Sequence, residues 1–129
     1  MGEALVDAGD HAAAEQVLRV SLALQQDAVG VEHPNTLKTA RNMAAALAGM
    51  GNRAEAATMF RDTLEAAQRT LGDEHPQTLK TASFFAKALA DRGDTAEACK
   101  VFRKTLDTQR RVLGDAHPDA VRTEQWLTA

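Results

Sequence analysis

Leu71-Gly72-Asp73-Glu74-His75-Pro76-Gln77-Thr78-Leu79-Lys80-Thr81 is the stretch on which the fold turns. Its His-Pro step occurs three times, as His33-Pro34, His75-Pro76 and His117-Pro118, and 75 − 33 and 117 − 75 are both 42. Gly9, Gly51 and Gly93 keep that spacing, as do Leu5, Leu47 and Leu89, and Arg19, Arg61 and Arg103. Residues 30–71 laid over residues 72–113 are identical at 23 of 42 positions. A fixed period of roughly 20–50 residues signals a solenoid array. Stacked repeats expose extended concave faces that bind partners and seldom enclose active sites. The expected function therefore lies in a surface.

Each unit reads as two helices. Pro34 suits a first helical turn, where its missing N–H has no partner to lose, and His33 before it is pushed out of the helical region. Leu37, Ala40, Met43, Ala44 and Leu47 follow at spacings of three and four, one apolar stripe. Gly51 and Asn52 stop this helix. The second runs from about Ala54 to Leu71, with a stripe of Ala56, Met59, Phe60, Thr63, Leu64, Ala67 and Leu71. The next unit repeats the plan: Pro76 to Arg92, a break at Gly93-Asp94, then Thr95 to Leu113.

Residues 1–8 read as the end of a first helix, 11–29 as a full second helix, and 118–128 as half of a further first helix. The expectation is one helical-repeat domain over 1–129. It comprises a partial repeat 1–29, repeats 30–71 and 72–113, and a partial repeat 114–129. Leu47, Phe60, Leu64, Leu89, Phe102 and Leu106 are the expected core.

Composition supports an all-α chain. Strong helix formers dominate, and the three prolines all sit in the repeated loop. A net charge of −3 speaks against a nucleic-acid partner, which calls for a strongly basic stripe. The single Cys99 allows no intrachain disulfide and fits a reducing compartment. No apolar run reaches the length of a membrane span, and the start lacks a secretory pattern. The expected setting is the cytoplasm, with no membrane contact, for a whole protein or a piece of one.

The motif Leu71-Gly72-x-x-His75-Pro76-x-Thr78-Leu79-x-Thr81, followed by Ala86-x-x-Leu89-x-x-x-Gly93-x-x-x-Glu97-Ala98-x-x-x-Phe102-Arg103-x-x-Leu106, resembles the tetratricopeptide repeat in its longer kinesin-light-chain-like form. The likeness covers essentially the whole chain. It departs at Ala40 and Ala82, where the generic repeat has a bulky aromatic. It departs again at Phe84, where Asn42 keeps the family's Asn, and at Met43 and Phe85, where that segment has Leu.

The resemblance implies a right-handed superhelix of antiparallel pairs whose first helices line a groove for peptide segments of other proteins. Carried over position by position, the groove residues are Lys38, Arg41, Asn42, Ala45 and Ala48 in one unit. Lys80, Ser83, Phe84, Lys87 and Ala90 follow in the next, then Arg122, Gln125 and Trp126. Five are basic among the first two sets and Arg122, and none is acidic. The ligand so implied is an extended, acidic protein or peptide segment. The alternative is a piece of a longer array that stacks end to end or self-associates through uncapped ends.

Other candidates have ordinary readings beside them. The recurrent Lys38, Lys80 and Arg122 form either an anion-attracting strip or a plain solvated face. Arg19, Arg61 and Arg103 suit a stem laid on apolar surface or an ion pair to a neighbouring unit. The three histidines come one per repeat, too far apart to share a zinc ion, so capping or loop packing is expected and no metal. Cys99 has no base near it in sequence, and Glu55 and Glu97 complement helix dipoles. Trp126 reads as a groove contact or a cap on the end of the stack. No catalytic constellation and no cofactor motif is found.

Overall fold

A computed structural model describes Gln16, Arg19 and residues 33–128. The expected helix at 1–8 lies outside the described residues, as does that at 11–29 apart from Gln16 and Arg19. Among the described residues 33–128, five helices follow one another: α1 (Pro34–Gly49), α2 (Arg53–Leu71), α3 (Pro76–Arg92), α4 (Thr95–Leu113) and α5 (Pro118–Thr128). No strand occurs among the described residues. Each helix packs on the next, joined by a short turn, so neighbours run antiparallel and alternate helices run the same way. α1 also touches α3, and α3 touches α5. The first helices thus form one layer, with α2 and α4 behind them.

The His-Pro step starts α1, α3 and α5 by one device. The imidazole Nδ1 of His33 accepts from the Asn35 N–H at 3.1 Å, that of His75 from Gln77 at 3.0 Å, and that of His117 from Asp119 at 3.1 Å. An otherwise orphan first-turn donor is satisfied each time. Gly93 ends α3 at φ 100°, ψ −1°, a left-handed conformation. A Cβ there would meet nothing within 4 Å. Glycine is needed for its backbone freedom and not for space.

The core is built where the helix pairs meet. Leu47 and Leu89 are fully buried, and Phe60 and Phe102 are 2% exposed. Between them lie Ala44, Ala56, Ala86 and Ala98, which let the helices approach closely. Leu106 is buried as expected, whereas Leu64 is only partly buried and borders a cleft between α2 and α4. A second cluster joins Leu37, Ala66 and Ala67. Two buried threonines satisfy their hydroxyls within their own helix: Thr63 donates to the Met59 carbonyl at 2.7 Å and Thr81 to that of Gln77 at 2.9 Å.

Of the recurrent arginines, Arg19 donates to Glu55 of the following unit at 3.3 Å, and the Arg61 guanidinium lies 5.8 Å over the Phe85 ring. Arg111 Nη2 donates to Glu74 Oε2 at 2.7 Å, which draws the Glu74 carboxyl below its ordinary value. The two ion pairs, Arg19–Glu55 and Arg111–Glu74, are exposed, and such pairs contribute little to stability.

Candidate functional site

Because α1, α3 and α5 begin at the same step, positions 42 residues apart fall in line across the layer they form. The outcome differs by position. Lys38, Asn42 and Ala45 are exposed on α1, and Lys80, Phe84, Lys87 and Ala90 are half-buried on α3. On α5, Arg122 and Trp126 are half-buried and Gln125 is exposed.

Two expected groove residues are largely covered by a neighbouring helix. Ser83 is wholly buried, and its hydroxyl pairs with that of Thr123 at 2.6 Å. Thr123 in turn donates to Gln109 Oε1 at 2.6 Å, so the network ties α3, α5 and α4 together. Arg41, the equivalent of Ser83 one repeat earlier, is only 6% exposed. Its Nη1 donates to Gln77 Oε1 at 3.5 Å, and its guanidinium lies 5.9 Å from the Phe84 ring centroid. Burial, and then the neighbouring Arg122, disfavour its charge, while Asp119 supports it. The reason is shared: this position lies on the seam between successive first helices, so the next helix covers it.

Two depressions open on this face. Lys38, Arg41, Lys80, Pro76, Gln77 and Asp119 surround a cleft of about 160 Å³. Beside it, Ala45, Ala48, Phe84 and Trp126 border a pocket of about 190 Å³ with Phe60 and Ala88 beneath and Lys87 and Asp91 at its edge. The Lys87 Nζ donates to Asp91 Oδ1 at 2.7 Å.

The aromatic side chains are in mutual contact. Phe84 stacks on Phe60 at 6.1 Å and 9°, and meets Trp126 nearly edge-on at 5.3 Å and 65°. Trp126 also lies 6.4 Å from Phe102. It therefore packs on the core and borders the pocket at once. Arg122 links the two depressions. Its guanidinium sits 5.1 Å from the Phe84 centroid and 5.5 Å from that of Trp126, and donates to Asp119 Oδ1 at 3.2 Å. Such cation–π placement holds a charge over an apolar floor.

Asp119 and Asp91, which are not among the expected groove residues, also border these depressions. Asp119 aligns with Asn35 and Gln77, the residues that follow each His-Pro step, and that recurrence was the available signal. Five cations (Lys38, Arg41, Lys80, Lys87, Arg122) still outnumber these two acids on a chain of net charge −3. Cations border the first depression and aromatic side chains the second.

Comparison with known proteins agrees with this architecture. One model of the tetratricopeptide repeat matches residues 1–69 and 39–98, and another matches residues 78–119. The chain belongs to the tetratricopeptide repeat family, and its 42-residue unit is of the kinesin-light-chain-like kind. It is similar to the solved structure of a putative kinesin light chain of Podosopora anserina with nearly identical TPR-like repeats. The TM-score is 0.84 at 25% identity, over 92% of this chain and 56% of that one. A point variant of that protein gives a TM-score of 0.85 with the same identity and coverage. The chain thus spans a little over half the length of these relatives. No curated protein sequence matches it. The fold is an all-α solenoid, an architecture of protein–protein interaction scaffolds.

Proposed function

We propose that the concave face formed by α1, α3 and α5 binds an extended acidic segment of a partner protein, with one bulky apolar side chain of that segment in the aromatic pocket. The observation that carries this reading is the adjacency of a cleft bordered by Lys38, Arg41 and Lys80 to a pocket bordered by Phe84 and Trp126. Arg41 and Arg122 are held in place by packing and hydrogen bonds, whereas Lys38 is exposed and Lys80 half-buried. The lysines supply steering and the arginines supply fixed charge. A cytoplasmic setting, suggested by the single Cys99, suits such a scaffold.

The test is capture of partners from the source cell by the wild-type chain and by a Lys38→Glu/Lys80→Glu variant in parallel. The expected result is loss of acidic-segment partners with the helical circular dichroism unchanged. Binding by the wild type should also weaken as salt rises, since screening shortens to roughly 8 Å at physiological ionic strength. Normal partner capture by the double variant would reject the groove as the binding surface. A second reading, association between copies, is favoured by Val112 and Val121, large apolar side chains left 40% and 37% exposed.

A further inference from the structure

The cleft bordered by Lys38, Arg41, Pro76, Gln77, Lys80 and Asp119 holds more positive charge than its own acid balances. Its carboxylate, Asp119, already accepts from Arg122 Nη2 at 3.2 Å, so those two charges offset each other. Among the described residues, Lys38, Arg41 and Lys80 enter no ion pair. Three cations therefore border a cleft of about 160 Å³ with no acid left for them. Arg41 stands out among them. It is only 6% exposed, and a charge so deeply buried is ordinarily paired. A guanidinium carries five N–H donors, and here Nη1 donates to the uncharged Gln77 amide at 3.5 Å. Burial and the neighbouring Arg122 weigh against the Arg41 charge by more than Asp119 supports it. The same position is Ser83 and Gln125 in the following units, so this buried cation is not a by-product of the repeat.

We propose that this cleft takes a phosphomonoester, carried on a serine or threonine of the partner segment. The proposal rests on the groove reading above and names the acid that the cleft selects. A side-chain carboxylate brings a single negative charge and two oxygens. A phosphoserine brings about −1.5 to −2 at pH 7 and three strong acceptor oxygens. The larger charge comes closer to offsetting three cations. The guanidinium fork of Arg41 suits two phosphate oxygens at once. Lys38 on α1 and Lys80 on α3 act as point charges from neighbouring helices. Packing against the Phe84 ring, 5.9 Å away, holds the fork in place before a ligand arrives. Phosphorylation of the partner would then govern its capture.

The test uses three capped glycine peptides that differ in one central residue: phosphoserine, glutamate or serine. Each is titrated into the full chain, and backbone amide shifts are followed by nuclear magnetic resonance at constant ionic strength. The phosphoserine peptide should bind about tenfold tighter than the glutamate peptide, with serine weakest. The shifts should centre on Lys38, Gln77 and Lys80. Arg41→Lys keeps the charge but loses the fork, and should shrink the preference for phosphoserine over glutamate. Because Arg41 is buried, helical circular dichroism is checked in that variant. Lys38→Gln/Lys80→Gln, at less buried positions, gives a second reading of the same preference. Equal affinity for phosphoserine and glutamate, with both lost in Lys38→Glu/Lys80→Glu, would overturn the phosphate and leave the groove reading standing. A preference undiminished in both the Arg41 and the lysine variants, or shifts centred elsewhere, would overturn the cleft as its seat. No binding by any of the three would overturn the phosphate, and partner capture would then decide the groove reading on its own.

Discussion

At the scale of single residues, the histidines show how one atom organises a repeat. His75 has an extended backbone, and its Nδ1 accepts the Gln77 amide while the proline after it begins α3. Replacing His75 by Ala should cost about 1 kcal/mol, the usual loss of an N-cap, whereas His75→Asn should keep most of it. Urea denaturation of the two variants, with hydrogen exchange at the Gln77 amide, separates a capping role from one of bulk. Equal stability of both variants would refute the cap. This role was legible in the sequence, because a proline at a helix start announces the residue before it as the cap. The fates of Arg41 and Ser83 were not legible. The resemblance placed them in the groove, but their burial is decided by the next helix, which no local pattern describes.

At the scale of elements, α5 is held by polar as well as apolar contacts. Thr123 joins Ser83 on α3 and Gln109 on α4, with all three wholly buried. The equivalent of Gln109 in the preceding unit is Ala67, so the network is not a simple copy of the repeat. Thr123→Val would leave the Ser83 hydroxyl and the Gln109 amide buried without a partner, a loss of about 1–3 kcal/mol. The loss should be local: hydrogen exchange should accelerate in α5 and leave α1 and α2 unchanged. Uniform protection across the chain would remove the network as the anchor of α5. Helix positions were readable to within a residue or so from the stripes, Gly51, Gly93 and the His-Pro steps. The anchor of α5 was not, because a lone threonine in a stripe carries no sign of its partners on two other helices.

At the scale of the whole molecule, the repeat was the most legible property. The 42-residue period alone led to stacked antiparallel pairs, since each pair has an apolar face that only a neighbour can cover. Val112 and Val121 are large apolar side chains that remain exposed. If copies associate through this surface, sedimentation velocity should show the average mass rising with protein concentration, and Val121→Glu should suppress the rise. A single unchanging species over the whole concentration range would dismiss that mode of assembly.

The placement of Trp126 has a practical consequence. It is the one tryptophan of a chain that has no tyrosine, and it borders the aromatic pocket with a guanidinium 5.5 Å from its ring centroid. Nearly all ultraviolet emission from the folded protein therefore originates at a single point on the concave face. Anything that displaces Arg122 or excludes solvent there will change the colour and yield of that emission. The chain carries its own optical reporter, and occupancy of the pocket can be followed in unlabelled protein.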